Sequence, residues 1–121
     1  MSLSLIRTRL SDGVVEITPR GEIDVDTAFE VREAVVAALT EERPTRIQLN
    51  LRLVTFIDSV GISAMVAGFQ AAEVSGVRLV VVRPSRFVHR QLWVTGLLGL
   101  FGAPEPEHAE AATETGDRAA G

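Results

Sequence analysis

The sequence predicts an α/β domain: a small mixed sheet with helices packed mainly on one face, in the order β-β-α-β-α-β-α. Three observations lead there. Short apolar runs of period two alternate with longer segments of period near 3.6. The strands after the first pair are separated by helix-sized crossovers, which implies parallel pairing. An Asp12-Gly13 pair between the first two strands reads as a hairpin turn, which adds an antiparallel edge.

The elements follow in order. Residues 3–9 and 14–18 read as the hairpin strands, and Pro19 and Gly21 then break the pattern. In the first helix Ala28, Val31, Val35 and Leu39 share one face, while Glu30, Arg32 and Glu33 point elsewhere. Thr27 and Glu30 have capping-box spacing, and Asp24 and Asp26 suit the positive end of that helix. Residues 41–44 end it.

A strand at residues 46–51 puts Ile47, Leu49 and Leu51 on one face, with Arg46, Gln48 and Asn50 on the other. Residues 52–57 read as a loop. The second helix runs from about Ser59 to Ser75, with Ile62, Met65, Val66, Phe69 and Ala72 as its apolar stripe and Gly76 after its end. Residues 77–82 read as a strand covered on both faces. Ser85 caps a third helix with Val88 and Leu92 inward and Gly96 as terminator, and residues 98–101 read as a last short strand.

The 121 residues, 46% of them hydrophobic, fit one domain with a real core. The formal charge of −4 lies entirely in residues 103–121: residues 1–102 hold 11 Arg against 11 Asp plus Glu. That last segment contains no Leu, Ile, Val, Phe or Trp, and it reads as an acidic disordered tail after a domain of residues 1–102. A balanced body gives no reason to expect direct nucleic-acid binding, which rests on neutralising phosphates. The apolar runs at residues 79–82 and 97–101 are too short to span a bilayer, and the N-terminus shows no export signal, so a cytoplasmic protein without a membrane partner is expected. Cysteine is absent, which excludes disulfides and thiolate chemistry.

Chemistry concentrates in the segment Thr55-Phe56-Ile57-Asp58-Ser59-Val60-Gly61-Ile62. It leads into a helix at the carboxyl end of the sheet, where α/β proteins present their functional surface. Ser59 has two readings: a helix cap, or an exposed hydroxyl whose phosphate the helix N-terminus would tolerate. A nucleophile elbow needs Gly two residues before and two after the serine, and Ile57 stands in the first of those places. The histidines, His89 and His108, supply neither a base at that loop nor a metal site. Gly96, Gly99 and Gly102 do not match a dinucleotide fingerprint, and no cofactor or enzymatic activity is expected. Trp93 and Phe87 on the third helix read either as packing residues or as a partner-facing patch.

Together these segments resemble a known family. Gly21-Glu22-Ile23-Asp24 is similar to the G-E-L/I-D signature of STAS domains. Leu49-Asn50-Leu51 through Phe56-Ile57-Asp58-Ser59-Val60-Gly61-Ile62 resembles the family's strand, loop and D-S-S/T-G-L phosphorylation site. Val88, Leu92 and Thr95-Gly96-Leu97 look like its third helix and the turn after it. The resemblance spans about residues 3 to 101 and implies a STAS-like single domain.

It further implies a stand-alone bacterial anti-sigma factor antagonist, acting in stress-response transcription by partner switching. Such a protein binds an anti-sigma factor that is also a Ser/Thr kinase of the histidine-kinase ATPase type, and so frees the sigma factor. Phosphorylation of the residue matching Ser59 blocks capture, and a Ser/Thr phosphatase restores it. The implied partner-binding residues are Asp24, Asp58, Ser59, Val60, Gly61 and Ile62. Val60 departs from the family, which has Ser or Thr there, and changes the shape and polarity a kinase meets. Two alternatives accompany this reading: a structural subunit of a lipid-transport ABC complex, and an interaction module that is never phosphorylated. A monomer or weak dimer is compatible with either.

Overall fold

Two consecutive residues with positive φ, Asp12 at 62° and Gly13 at 76°, turn the chain between β1 (Leu3–Arg9) and β2 (Val14–Ile23). The computed structural model that shows this describes residues 2–102; the acidic segment 103–121 lies outside them. The further elements are α1 (Ala28–Glu42), β3 (Arg46–Asn50), β4 (Val54–Ile57), α2 (Ser59–Val74), β5 (Arg78–Val82), α3 (Arg86–Val94) and α4 (Leu98–Phe101).

The sheet is mixed, as expected. β1 runs antiparallel to β2, β2 is parallel to β3, and β3 is parallel to β5. β4 also pairs in parallel with β2, along the edge that β3 leaves free.

Three expectations need correction. β2 does not stop at Thr18 but continues through Pro19 to Ile23. On one edge β2 meets β3 at Val14–Ile17 and β4 at Gly21–Ile23, so Pro19 falls in the gap between two partners. Gly21 N donates to Leu53 O at 3.1 Å on that edge. Alternation places the N–H that Pro19 lacks toward the same gap, so its absence breaks no ladder bond.

Second, the expected loop at residues 52–57 contains β4. An Asx turn precedes it: Arg52 N donates to the Asn50 side chain at 3.2 Å. Third, residues 98–101 form a single helical turn rather than a strand. Phe101 N donates to Leu97 O at 3.2 Å, and the fully buried Phe101 ring meets Phe69 edge to face with centroids 5.9 Å apart.

One sheet face is the core face. Val15, Ile47 and Leu79 stand in register across β2, β3 and β5, as do Ile17, Leu49 and Val81, and all six are buried. Arg7 and Arg9, opposite Ile17 and Val15, pair with Glu41 and Glu42, which places α1 over this face. The other face is more polar: Gln48 Nε2 donates to Glu16 Oε2 at 2.7 Å beside half-buried Val80.

The helices bury most of the stripes their periodicity predicts, with Leu39, Val66 and Phe69 only half-buried against the core and Ala38 buried in addition. α1 buries Ala28, Val31, Val35 and Ala38, and α2 buries Ile62, Met65 and Ala72. Each such branched side chain contributes about 1.5–3 kcal/mol by leaving water. Gly68 lets the two helices approach: a Cβ there would sit 3.2 Å from Val35 Cγ2. α3 begins as expected, with Ser85 Oγ accepting from Val88 N at 3.3 Å and donating to Val54 O at 2.7 Å.

Candidate functional site

The carboxyl ends of β2 and β4 lie side by side, with Glu22 opposite Phe56 and Ile23 opposite Ile57. Each strand leads through a short connection into a helix, so the N-termini of α1 and α2 share one end of the sheet. Backbone contacts tie the two connections together. Asp58 N donates to Ile23 O at 3.2 Å, and Gly61 packs against the same oxygen. A Cβ on Gly61 would lie 2.5 Å from Ile23 O and 2.8 Å from Ile57 Cγ1, so only glycine fits without displacement.

Asp58 is the N-cap of α2. Its Oδ1 accepts from Gly61 N at 2.8 Å while its backbone oxygen accepts from Ile62 N at 2.9 Å. This replaces the reading in which Ser59 caps the helix. Ser59 occupies the first helical position and is exposed, and its hydroxyl has no hydrogen-bond partner among the described residues.

Asp24 does the corresponding work at α1. Its Oδ1 accepts from Asp26 N at 3.0 Å and from Thr27 N at 3.2 Å. Thr27 Oγ1 accepts from Asp24 N at 3.0 Å and donates to Glu22 O at 2.7 Å. The expected capping box between Thr27 and Glu30 therefore does not form: the threonine side chain faces back along the chain rather than into the helix.

The six residues implied as partner-binding divide by exposure. Ser59 and Val60 lie on the surface, Val60 at 44%. Asp58 is half-buried by its cap bond. Asp24 and Ile62 are each 8% exposed and Gly61 is buried, so these three shape the surface more than they form it.

Sequence reasoning missed two exposed apolar neighbours, Val25 at 67% and Phe29 at 63%, which flank the start of α1. The signal was present, since Phe29 falls off the stripe formed by Ala28, Val31 and Val35. Phe56, also at this end, meets Phe87 of α3 with ring planes tilted by 37° and centroids 5.4 Å apart, and both rings remain partly exposed.

The balanced charge of residues 1–102 is not balanced locally. Glu22, Asp24, Asp26, Glu30 and Asp58 all belong to this end of the molecule. A dianion on Ser59 would meet favourable helix N–H groups and unfavourable carboxylates together. No base is hydrogen-bonded to Ser59 among the described residues, and His89 Nε2 is buried without a partner of its own. No group of three metal-ligating side chains occurs among them either. No described helix is long and apolar enough to cross a membrane.

A model of the STAS domain matches residues 6–111 of this chain. The chain is 29% identical to an anti-sigma-B factor antagonist of Staphylococcus aureus over 105 residues, which cover 87% of this chain and 96% of the relative. Its fold is similar to that of an anti-sigma factor antagonist from Mycobacterium paratuberculosis, with TM-score 0.75, 24% identity and 91% and 92% of the two chains covered. It is also similar to the anti-sigma factor antagonist SpoIIAA in its unphosphorylated form, with TM-score 0.69, 22% identity and coverage of 88% and 92%. The Bacillus SpoIIAA structure in the phosphorylated form matches with TM-score 0.65 at 21% identity, covering 89% and 96%.

Proposed function

Because this chain belongs to the STAS domain family, we propose that it is an anti-sigma factor antagonist whose partner is an anti-sigma factor with Ser/Thr kinase activity. The observation that carries this reading is the state of Ser59. Asp58 takes over the capping bond, so Ser59 presents a hydroxyl that the fold does not use. A hydroxyl needed for a cap would be hidden from a kinase, and its modification would unravel the helix.

In this reading the unphosphorylated face around Ser59 and Val60 docks on the anti-sigma factor and frees the sigma factor. The kinase then transfers the γ-phosphoryl group of ATP to Ser59 Oγ: the O–P bond to ADP breaks, the serine O–P bond forms, and the hydroxyl proton is lost. About −1.5 to −2 charges arrive beside Asp58. A partner surface packed against a neutral hydroxyl would have to desolvate that dianion near existing carboxylates, and binding fails. The fold need not change. A Ser/Thr phosphatase returns the hydroxyl by hydrolysis.

The test is binding of the cognate anti-sigma factor by titration calorimetry. Ser59→Ala retains wild-type affinity, and Ser59→Asp weakens it by about 100-fold, which corresponds to roughly 3 kcal/mol. Equal binding by both variants would refute the charge switch. Incubation with the kinase and ATP places one phosphate on the chain, and Ser59→Ala abolishes it. A structural subunit of a transport complex would show neither behaviour.

A further inference from the structure

β1 forms one rim of the sheet, and no described strand pairs with its outer side. Its register shows which backbone groups face outward. Glu22 N donates to Ser2 O at 3.3 Å and Leu10 N donates to Val14 O at 2.8 Å, so the even-numbered residues bond to β2. The N–H and C=O groups of Leu3, Leu5, Arg7 and Arg9 therefore point away from the sheet, and none has a hydrogen-bond partner among the described residues.

Proteins blunt such a rim with a proline, a lysine, a bulge or an unpaired inward charge. β1 contains no proline and no lysine, and it runs against β2 in unbroken register. Its charges, Arg7 and Arg9, are already matched by Glu41 and Glu42. On the opposite face Ile6 is 60% exposed between Ser4 and Thr8, which are exposed too. α1 lies mainly over β2 and leaves the rim open.

The outward groups of β1 are complementary to themselves. One antiparallel register uses all of them: Leu3 opposite Arg9 of a second copy and Leu5 opposite Arg7, about a two-fold axis at Ile6. In that register Ile6 faces its own counterpart at the closer, non-hydrogen-bonded spacing of about 4.5 Å between Cα atoms. Ser4 faces Thr8, a favourable hydroxyl pair. On the other face the half-buried Leu3 and Leu5 meet the aliphatic stems of Arg9 and Arg7. Each copy brings as many carboxylates as guanidinium groups to the junction, so no net charge opposes it.

We propose that β1 is the interface of a two-fold homodimer, in which the β1 strands of two copies pair antiparallel about Ile6 and carry one sheet through both. A strand pair of this length belongs with interfaces below about 1,200 Å², the class of weak, reversible association. Strand direction reverses across the axis, so the two Ser59 faces lie at opposite ends of the joint sheet and both stay open. The pairing uses no residue of that site and stands independently of the proposed function.

The chain has no cysteine, so one introduced thiol reports one spacing. Ile6→Cys in the full chain sets two thiols across the axis, within the Cα separation of about 4.4–6.8 Å that a disulfide needs. Thr8→Cys, also exposed, sets them more than about 13 Å apart along the strands. With copper–phenanthroline as oxidant, Ile6→Cys forms the covalent dimer at least about tenfold faster than Thr8→Cys. Sedimentation equilibrium of the unmodified chain follows a monomer–dimer isotherm. Ile6→Lys, which places like charges face to face at an exposed position, weakens it about tenfold or more. Amide exchange at Leu3, Leu5, Arg7 and Arg9 slows as protein concentration rises. Equal cross-linking of the two cysteine variants or a monomer at every concentration overturns the proposal. So does protection of those four amides that dilution leaves unchanged, which is what a strand from the same chain would give.

Discussion

Gly61 lies against the carbonyl of Ile23 so closely that a Cβ would fall 2.5 Å from the oxygen. That oxygen already accepts the Asp58 N–H at 3.2 Å. One carbonyl at the end of β2 thus fixes both the cap of α2 and the depth to which the helix settles on the sheet.

Gly61→Ala is therefore expected to lower stability by roughly 1–3 kcal/mol through overpacking against backbone that cannot give way. Gly68→Ala is the control. Its Cβ would meet only the Val35 side chain at 3.2 Å, and the gain in helix propensity of about 1 kcal/mol offsets the crowding. Urea midpoints of the two variants should separate clearly. Equal midpoints would show that the approach to Ile23 is not what the glycine is for.

Asp58 and Ser59 are neighbours with different duties. Asp58→Ala removes the acceptor for Gly61 N and should cost about 0.5–2 kcal/mol. Ser59→Ala removes nothing the fold uses and should stay within about 0.5 kcal/mol of wild type. Chemical denaturation of both variants decides this. A Ser59→Ala loss as large as that of Asp58→Ala would return the capping role to the serine.

For Asp24 the division is between acceptor and charge. The buried Oδ1 receives two backbone N–H groups, so Asp24→Ala should destabilise by about 1–3 kcal/mol and loosen the start of α1. Asp24→Asn keeps an acceptor oxygen and should recover most of that stability. If the Asn variant also binds the anti-sigma factor normally, the residue acts by shaping the loop. If it folds well and fails to bind, its charge faces the partner.

The parts of this molecule legible in sequence were those set by periodicity. The buried stripes of α1 and α2 and the inward Val88 and Leu92 follow from 3.6-residue spacing. β4 escaped because four residues with both ends buried and the centre exposed show neither alternation nor a continuous apolar run. Pro19 misled because its tolerance depends on a gap between β3 and β4 that only the assembled sheet contains. At the site, the Asp58-Ser59 pair stood out. The structural work of Asp24 and Gly61 did not: the Asp24 turn is local but competes with a reading as a charge at the helix N-terminus, and the approach of Gly61 to Ile23 exists only in the assembled sheet.

Phe29 supplies the remaining test. It is 63% exposed beside Val25, at the same end of the sheet as Ser59 and half-exposed Val60. Nothing in the core depends on it, so Phe29→Ala should leave the urea midpoint within about 0.5 kcal/mol of wild type. An aromatic side chain left in water beside an interface is a strong candidate for the residue that fills a partner's pocket, where truncation costs 2 kcal/mol or more. Phe29→Ala should then weaken anti-sigma factor binding by about 30-fold, mainly through faster dissociation. Val60→Ser, which trades a smaller apolar surface for a hydroxyl, should weaken it by less than about tenfold. Unchanged affinity in Phe29→Ala would confine the docking surface to α2 and leave the exposed ring without a partner.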